Sequence, residues 1–186
     1  MKKLLLGAVI GALIAAIGLY VYQRTGSSAA PAGPVDTAGS ALTAASKGKT
    51  DAGAALRTSK MAGTILTVKN GESIQAAVSK AKPGDTIQVM PGLYKETVYI
   101  DKDNIAIIGV IDKGNWPVMD GERKLNDAIL YSGSGIRIEN MKIVHYKGNA
   151  IMGQAGNNFV IRYNWIVDTG VYGIFPQFGK NGLVEY

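Results

Sequence analysis

A chain of 186 residues has room for one domain with tails, and it contains no cysteine and one histidine, His145. Disulfides, a lipoprotein anchor, iron–sulfur clusters, thiolate zinc and multi-histidine metal sites within these residues are therefore excluded. The net charge of +6 is concentrated at the start, because residues 1–61 carry seven Lys/Arg against Asp36 and Asp51. The rest is nearly neutral and offers no electrostatic footprint for nucleic acid.

Residues 4–22 form a run of 19 uncharged residues. As a helix it reaches roughly 28 Å, about the thickness of a bilayer hydrocarbon core. Lys2 and Lys3 hold the N-terminus cytoplasmic and export the remainder, and Tyr20 and Tyr22 fall at the far interface. Residues 1–24 are thus predicted to be a signal anchor with a transmembrane helix. A cleaved signal is the alternative, disfavoured by the length of the run and by Pro31 after Ser28-Ala29-Ala30. Residues 25–61 are rich in Ala, Gly, Ser and Thr. They lack the apolar bulk to offset chain entropy, so the expectation is a disordered linker ahead of a folded domain over residues 62–186. The expected location is the periplasm or cell surface, anchored in the cytoplasmic membrane, or secreted if the signal is cleaved.

Thr64 to Val68 alternates as a strand. Ile74, Ala77, Val78 and Ala81 share one face of a short helix, started at Asn70 or Gly71 and ended by Pro83-Gly84. Asp85 to Met90 is a strand, Pro91-Gly92 a turn, and Thr97 to Ile100, Asn104 to Gly109 and Trp116 to Met119 are further short strands. Ile138-Glu139-Asn140, Ile161-Arg162-Tyr163 and Val184-Glu185-Tyr186 then begin three copies at a step of 23 residues. A fixed period built from β-branched runs between Gly/Asn turns indicates a solenoid. No run is long enough for a crossover helix, so parallel strands must pair from one coil to the next. Ile138, Ile143 and Ile151 are expected to stack on Ile161, Ile166 and Ile174 inside, with Asn140, Asn158, Asn164 and Asn181 at bends. The chain stops within a strand, after about three to four coils and with no C-terminal cap, and is read as incomplete.

Ser73-Ile74-Gln75-Ala76-Ala77, Lys82-Pro83-Gly84-Asp85-Thr86-Ile87, residues 91–96 and Val98-Tyr99-Ile100 resemble the N-terminal cap and first coil of the pectin-lyase-like superfamily. The later coils are similar to that family's repeat at Ile138 to Ile143 and Ile161 to Ile166. The resemblance covers about residues 64–186. It implies an all-β, right-handed parallel β-helix with a short N-terminal capping helix. It does not imply one activity, since the superfamily includes polysaccharide lyases, hydrolases, epimerases, tailspikes and periplasmic metal-delivery proteins. Calcium enters only through this resemblance, and the aspartate cluster that holds it in pectate lyases is missing, as is the Asp-Pro-His motif of the epimerases.

His145 and Asp168 stand one 23-residue step apart, which stacks an imidazole against a carboxylate as a general base would need. The competing reading is an ordinary polar turn. Glu139, Arg162 and Glu185 form a column of alternating sign, read as an outward ladder worth little at a surface, with Arg162 a weaker catalytic candidate. Lys142 and Lys147 could meet acidic sugars, and Tyr146, Trp165 and Tyr172 could stack on sugar rings. Phe175 aligns with Met152 and is expected in the core, while Asp101, Asp103, Asp112 and Asp120 are read as turn residues. The expected function is an exported, membrane-tethered β-helix that binds or acts on a polysaccharide. The alternative is a non-enzymatic periplasmic β-helix of metal-enzyme maturation or surface interaction.

Overall fold

Strand pairing follows the apolar columns. The computed structural model describes residues 53–57 and 59–186. The chain divides into two units, Met1–Leu42 and Thr43–Tyr186, and every described residue belongs to the second. The predicted anchor and most of the predicted linker lie outside the described residues. Among the described residues, no helix is long and apolar enough to cross a membrane.

Fourteen short strands and one helix follow a segment that is helical over residues 53–57. β1 (Ile65–Val68) is followed by α1 (Ile74–Lys80). Then come four coils of three strands: β2 (Thr86–Val89), β3 (Gly92–Tyr94) and β4 (Val98–Ile100); β5 (Ala106–Gly109), β6 (Pro117–Asp120) and β7 (Ile129–Tyr131); β8 (Arg137–Glu139), β9 (Lys142–Val144) and β10 (Ile151–Gly153); β11 (Val160–Arg162), β12 (Trp165–Val167) and β13 (Ile174–Pro176). β14 (Leu183–Glu185) follows. All strand pairs are parallel and run from coil to coil, forming sheet A (β1-β2-β5-β8-β11-β14), sheet B (β3-β6-β9-β12) and sheet C (β4-β7-β10-β13). The chain is a parallel β-solenoid of about five turns.

The expected stacking is present: Ile138 pairs with Ile161, Ile143 with Ile166 and Ile151 with Ile174. The inner column of sheet A is Leu66, Ile87, Ile107, Ile138, Ile161 and Val184. Its step is 23 residues only from Ile138 onward, because the coil containing β5 to β7 carries longer connections. Two strands escape the sequence pattern. Gly92, read as a turn, opens β3, and Ile129–Tyr131 forms β7 within a loop-like stretch.

The helix begins two to three residues later than expected. Ser73 is its N-cap, with Oγ accepting from Ala76 N at 3.1 Å. The Glu96 carboxylate accepts from Ile74 N, Gln75 N and Ser73 Oγ at 2.8–3.0 Å, adding a negative charge where the helix dipole is positive. Asn70 instead accepts from Leu93 N. The C-cap is Ala81, ahead of Pro83-Gly84, and Lys102 Nζ donates to the carbonyls of Val78, Ser79 and Ala81. Ile74 and Val78 are buried, and the helix packs against β1, β2 and β4.

Bends repeat in register. Asn140 and Tyr163 take left-handed backbone between sheets A and B, with φ of 58° and 57°, and Tyr186 does so at the matching position after β14, with φ of 65°. Asn104, Gly135, Asn158 and Asn181 do so ahead of sheet A. Asn164 does not; its amide bridges coils instead, accepting from Met141 N and donating to Ile138 O, both at 3.0 Å. That satisfies backbone groups at a corner where strand pairing stops.

Asp85 ties the first bend. Its carboxylate accepts from Lys82 N at 2.8 Å and Thr64 N at 2.7 Å, and these bonds hold its pKa below the ordinary 3.8. A lowered folded-state pKa adds stability above the unfolded value, which is lost as pH falls through the folded one. Asp85→Asn is therefore expected to be less stable at neutral pH and to show a shallower loss of stability in acid. Denaturant melts of both forms from pH 7 to pH 2 check this; parallel curves would contradict it.

Candidate functional site

Sheet B presents its odd-facing side chains outward, because Tyr94, Met119, Ile143 and Ile166 point into the core. The outward column is Leu93, Val118, Lys142 and Trp165. Lys142 Nζ lies 3.8 Å from the centre of the Trp165 ring, a cation–π contact. Trp116, from the connection before β6, meets Trp165 edge-on at 5.9 Å. Trp165 is 48% exposed. With Pro91, Leu93 and Asn115 these residues line an open groove of about 520 Å³, within the range of small-ligand sites.

The far end of the same strands carries the single histidine. His145 and Asp168 both follow a sheet B strand in left-handed backbone, φ 57° each, so they stack as the step predicts. His145 Nε2 is 3.8 Å from Asp168 Oδ2. A third partner comes from the preceding coil: Asp120 Oδ1 lies 3.0 Å from His145 Nδ1. Asp120 was read as a turn residue, and it also fills that role by accepting from Glu122 N at 2.8 Å. Burial pushes the Asp120 carboxyl up, but the Glu122 N–H and the His145 ring outweigh it and hold the pKa below its ordinary value. Arg123 pairs with Asp168, and Glu122 is paired by Lys95 at 2.5 Å and by Lys124 at 3.4 Å.

Calcium does not fit these residues. Among the described residues no group of three or more His, Asp or Glu is placed to hold a metal ion. The carboxylates near His145 are already paired with cations and N–H groups, so they have few free lone pairs to offer a hard cation.

The other sequence candidates scatter. Tyr146 is buried, its hydroxyl donating to Glu96 O at 2.6 Å, and burial raises its pKa; it is a core residue and cannot touch a surface ligand. Lys147 is exposed at the bend after sheet B. Tyr172 is exposed and stacks on Phe175 at 4.9 Å. Phe175 pairs with Met152 on the outer face of sheet C, so it is not in the core, because Ile151 and Ile174 occupy the inward positions.

Arg162 lies on the outer face of sheet A, away from His145. Its column does alternate with Glu139 and Glu185, but it is not an exposed ladder. Glu139 and its neighbour Arg137 are only 7% and 6% exposed. The helical segment 53–57 and Ser59 lie over them: Arg137 Nη2 donates to Leu56 O, Ser59 O and Ser59 Oγ at 2.7–2.8 Å, and Arg57 grips Glu185 through Nε and Nη2 at 2.9 and 2.8 Å. Ion pairs covered in this way are screened less by water and salt than surface pairs.

The groove pairing of Trp116 with Trp165 was not anticipated, because the two are separated by 49 residues and one lies outside the repeat. No family model, curated protein or solved structure matches the chain, so its site is read from its own geometry.

Proposed function

We propose that the chain is an exported, membrane-tethered β-helix of the right-handed pectin-lyase-like kind that binds a polysaccharide along the outer face of sheet B. The observation that carries this reading is the open groove built on Trp116, Trp165 and Lys142. Indole rings supply flat apolar surface of the kind that covers the C–H face of a sugar, and the ammonium group adds attraction for acidic residues of a glycan. A solenoid offers such contacts along a line, which suits a linear polymer. Residues 1–24 serve as the anchor and the stretch from residue 25 up to the helical segment at residue 53 as the linker, while α1 covers the N-terminal end of the core.

Binding is favoured over catalysis. His145 is hydrogen-bonded through Nδ1 to Asp120 at 3.0 Å, while Asp168, 3.8 Å from Nε2, is paired with Arg123 and is not free to serve as a second acid or base. The cluster instead holds three successive coils in register beside the groove, about 10 Å along the strand from Trp165.

Retention on a panel of neutral and acidic polysaccharides tests the reading. The chain is expected to bind at least one of them, and Trp165→Ala to weaken that binding at least about tenfold. No unsaturated uronate product is expected from any of them. Failure to bind every polysaccharide would overturn the proposal, and release of unsaturated product would turn it toward a lyase.

A further inference from the structure

The space between Arg57, Ser59, Lys60 and Met61 on one side and sheet A on the other has the features of a binding site in its own right. It encloses about 480 Å³, lined by Arg57, Lys60, Arg137, Glu139 and Arg162 with Thr86 and Ile108. Counting Glu185 beside it, four cationic side chains face two carboxylates. Both carboxylates are already engaged: Glu139 accepts from Arg137 Nη1 at 2.6 Å, and Glu185 is gripped by Arg57.

Two cations keep a donor without a hydrogen-bond acceptor among the described residues, although Arg162 is ion-paired with Glu139. Arg162 Nε is buried and lies 3.0 Å from Glu139 Oε1, but its N–H is not aligned, so it has no hydrogen-bond partner among the described residues. Its Nη1 is 3.9 Å from Glu185 Oε1, too far for a hydrogen bond. Lys60 is exposed at the rim, and its ammonium makes no hydrogen bond or ion pair among the described residues. A buried donor without an acceptor costs free energy, and a planar guanidinium is best satisfied by an oxyanion.

We propose that this space binds a small carboxylic acid, with its carboxylate between Arg162 and Lys60 and its carbon frame against Ile108 and Thr86. The volume exceeds what a bare inorganic ion would fill, and the mixed apolar and hydroxyl wall suits a hydroxylated acid of about six carbons. The site is distinct from the sheet B groove, so either can fail without the other. Occupancy would also fasten Lys60 to the solenoid, because the ligand would contact both.

Calorimetric titration of the purified chain with gluconate, glucose and inorganic phosphate tests this directly. Gluconate is expected to bind saturably and glucose not at all, with phosphate at least about tenfold weaker. Arg162→Gln and Lys60→Ala are each expected to weaken gluconate about tenfold or more. Lys60 is exposed, so that variant keeps its fold even if Arg162→Gln does not. No saturable gluconate binding, phosphate binding as tightly as gluconate, or unchanged affinity in Lys60→Ala would each overturn the proposal.

Discussion

Ile138→Ala is expected to lower the unfolding free energy by about 3–4 kcal/mol. Ile138 is fully buried and sits between Ile107 of the coil before and Ile161 of the coil after. Removing its branched side chain opens a cavity that parallel strands cannot close, because coil-to-coil hydrogen bonds fix the spacing at about 4.8 Å. The loss is shared by both neighbours, so a urea melt should move as a whole. Val184→Ala, in the same column but half exposed, should cost less than about 1 kcal/mol. Equal losses at the two positions would contradict the stacking.

Glu139→Gln is expected to cost about 3 kcal/mol or more, against the near zero of a surface ladder. Glu139 Oε1 accepts from Arg137 and lies 3.0 Å from Arg162 Nε as an ion pair, and both arginines are largely out of water. Neutralising the carboxylate leaves two guanidinium groups facing each other under Leu56 and Ser59. The double change Arg137→Met with Glu139→Leu removes charge from both sides and should recover much of the loss. Hydrogen exchange over residues 53–61 should rise in Glu139→Gln, because the arginine that holds Leu56 O and Ser59 loses its own anchor. A loss below about 1 kcal/mol would show that the network carries no more than exposed pairs do.

The repeat was readable in the residues wherever its step was constant. Ile138, Ile161 and Val184 carry the same side-chain type at the same interval, and the structure pairs them in that register. The earlier coils pair just as well but are spaced unevenly, because connections of variable length join strands of only three or four residues. β7 illustrates the limit: Ile129, Leu130 and Tyr131 are too few to show a period, and only the columns on either side define them as a strand.

The sites were legible in part for the same reason. His145 and Asp168 share one step, so their stacking followed from spacing alone. Asp120 lies one coil earlier, where the interval to His145 is 25 residues, and a search at 23 passes over it. Burial of Glu139 and Arg137 had no local signal either. It arises from Leu56 and Ser59, in a stretch whose composition reads as linker but whose carbonyls at these two residues accept from Arg137. Composition describes what a segment can bury, not what it can cover.

The chain holds two tryptophans, Trp116 and Trp165, and both line the sheet B groove. Intrinsic tryptophan emission therefore reports on that groove alone. Titration with a polysaccharide that the chain retains is expected to change the emission saturably, with the same midpoint as binding, and the change should shrink in Trp165→Phe, where Trp116 alone reports. Binding of the polysaccharide with tryptophan emission unchanged would place the contact elsewhere on the solenoid and contradict a role for this groove.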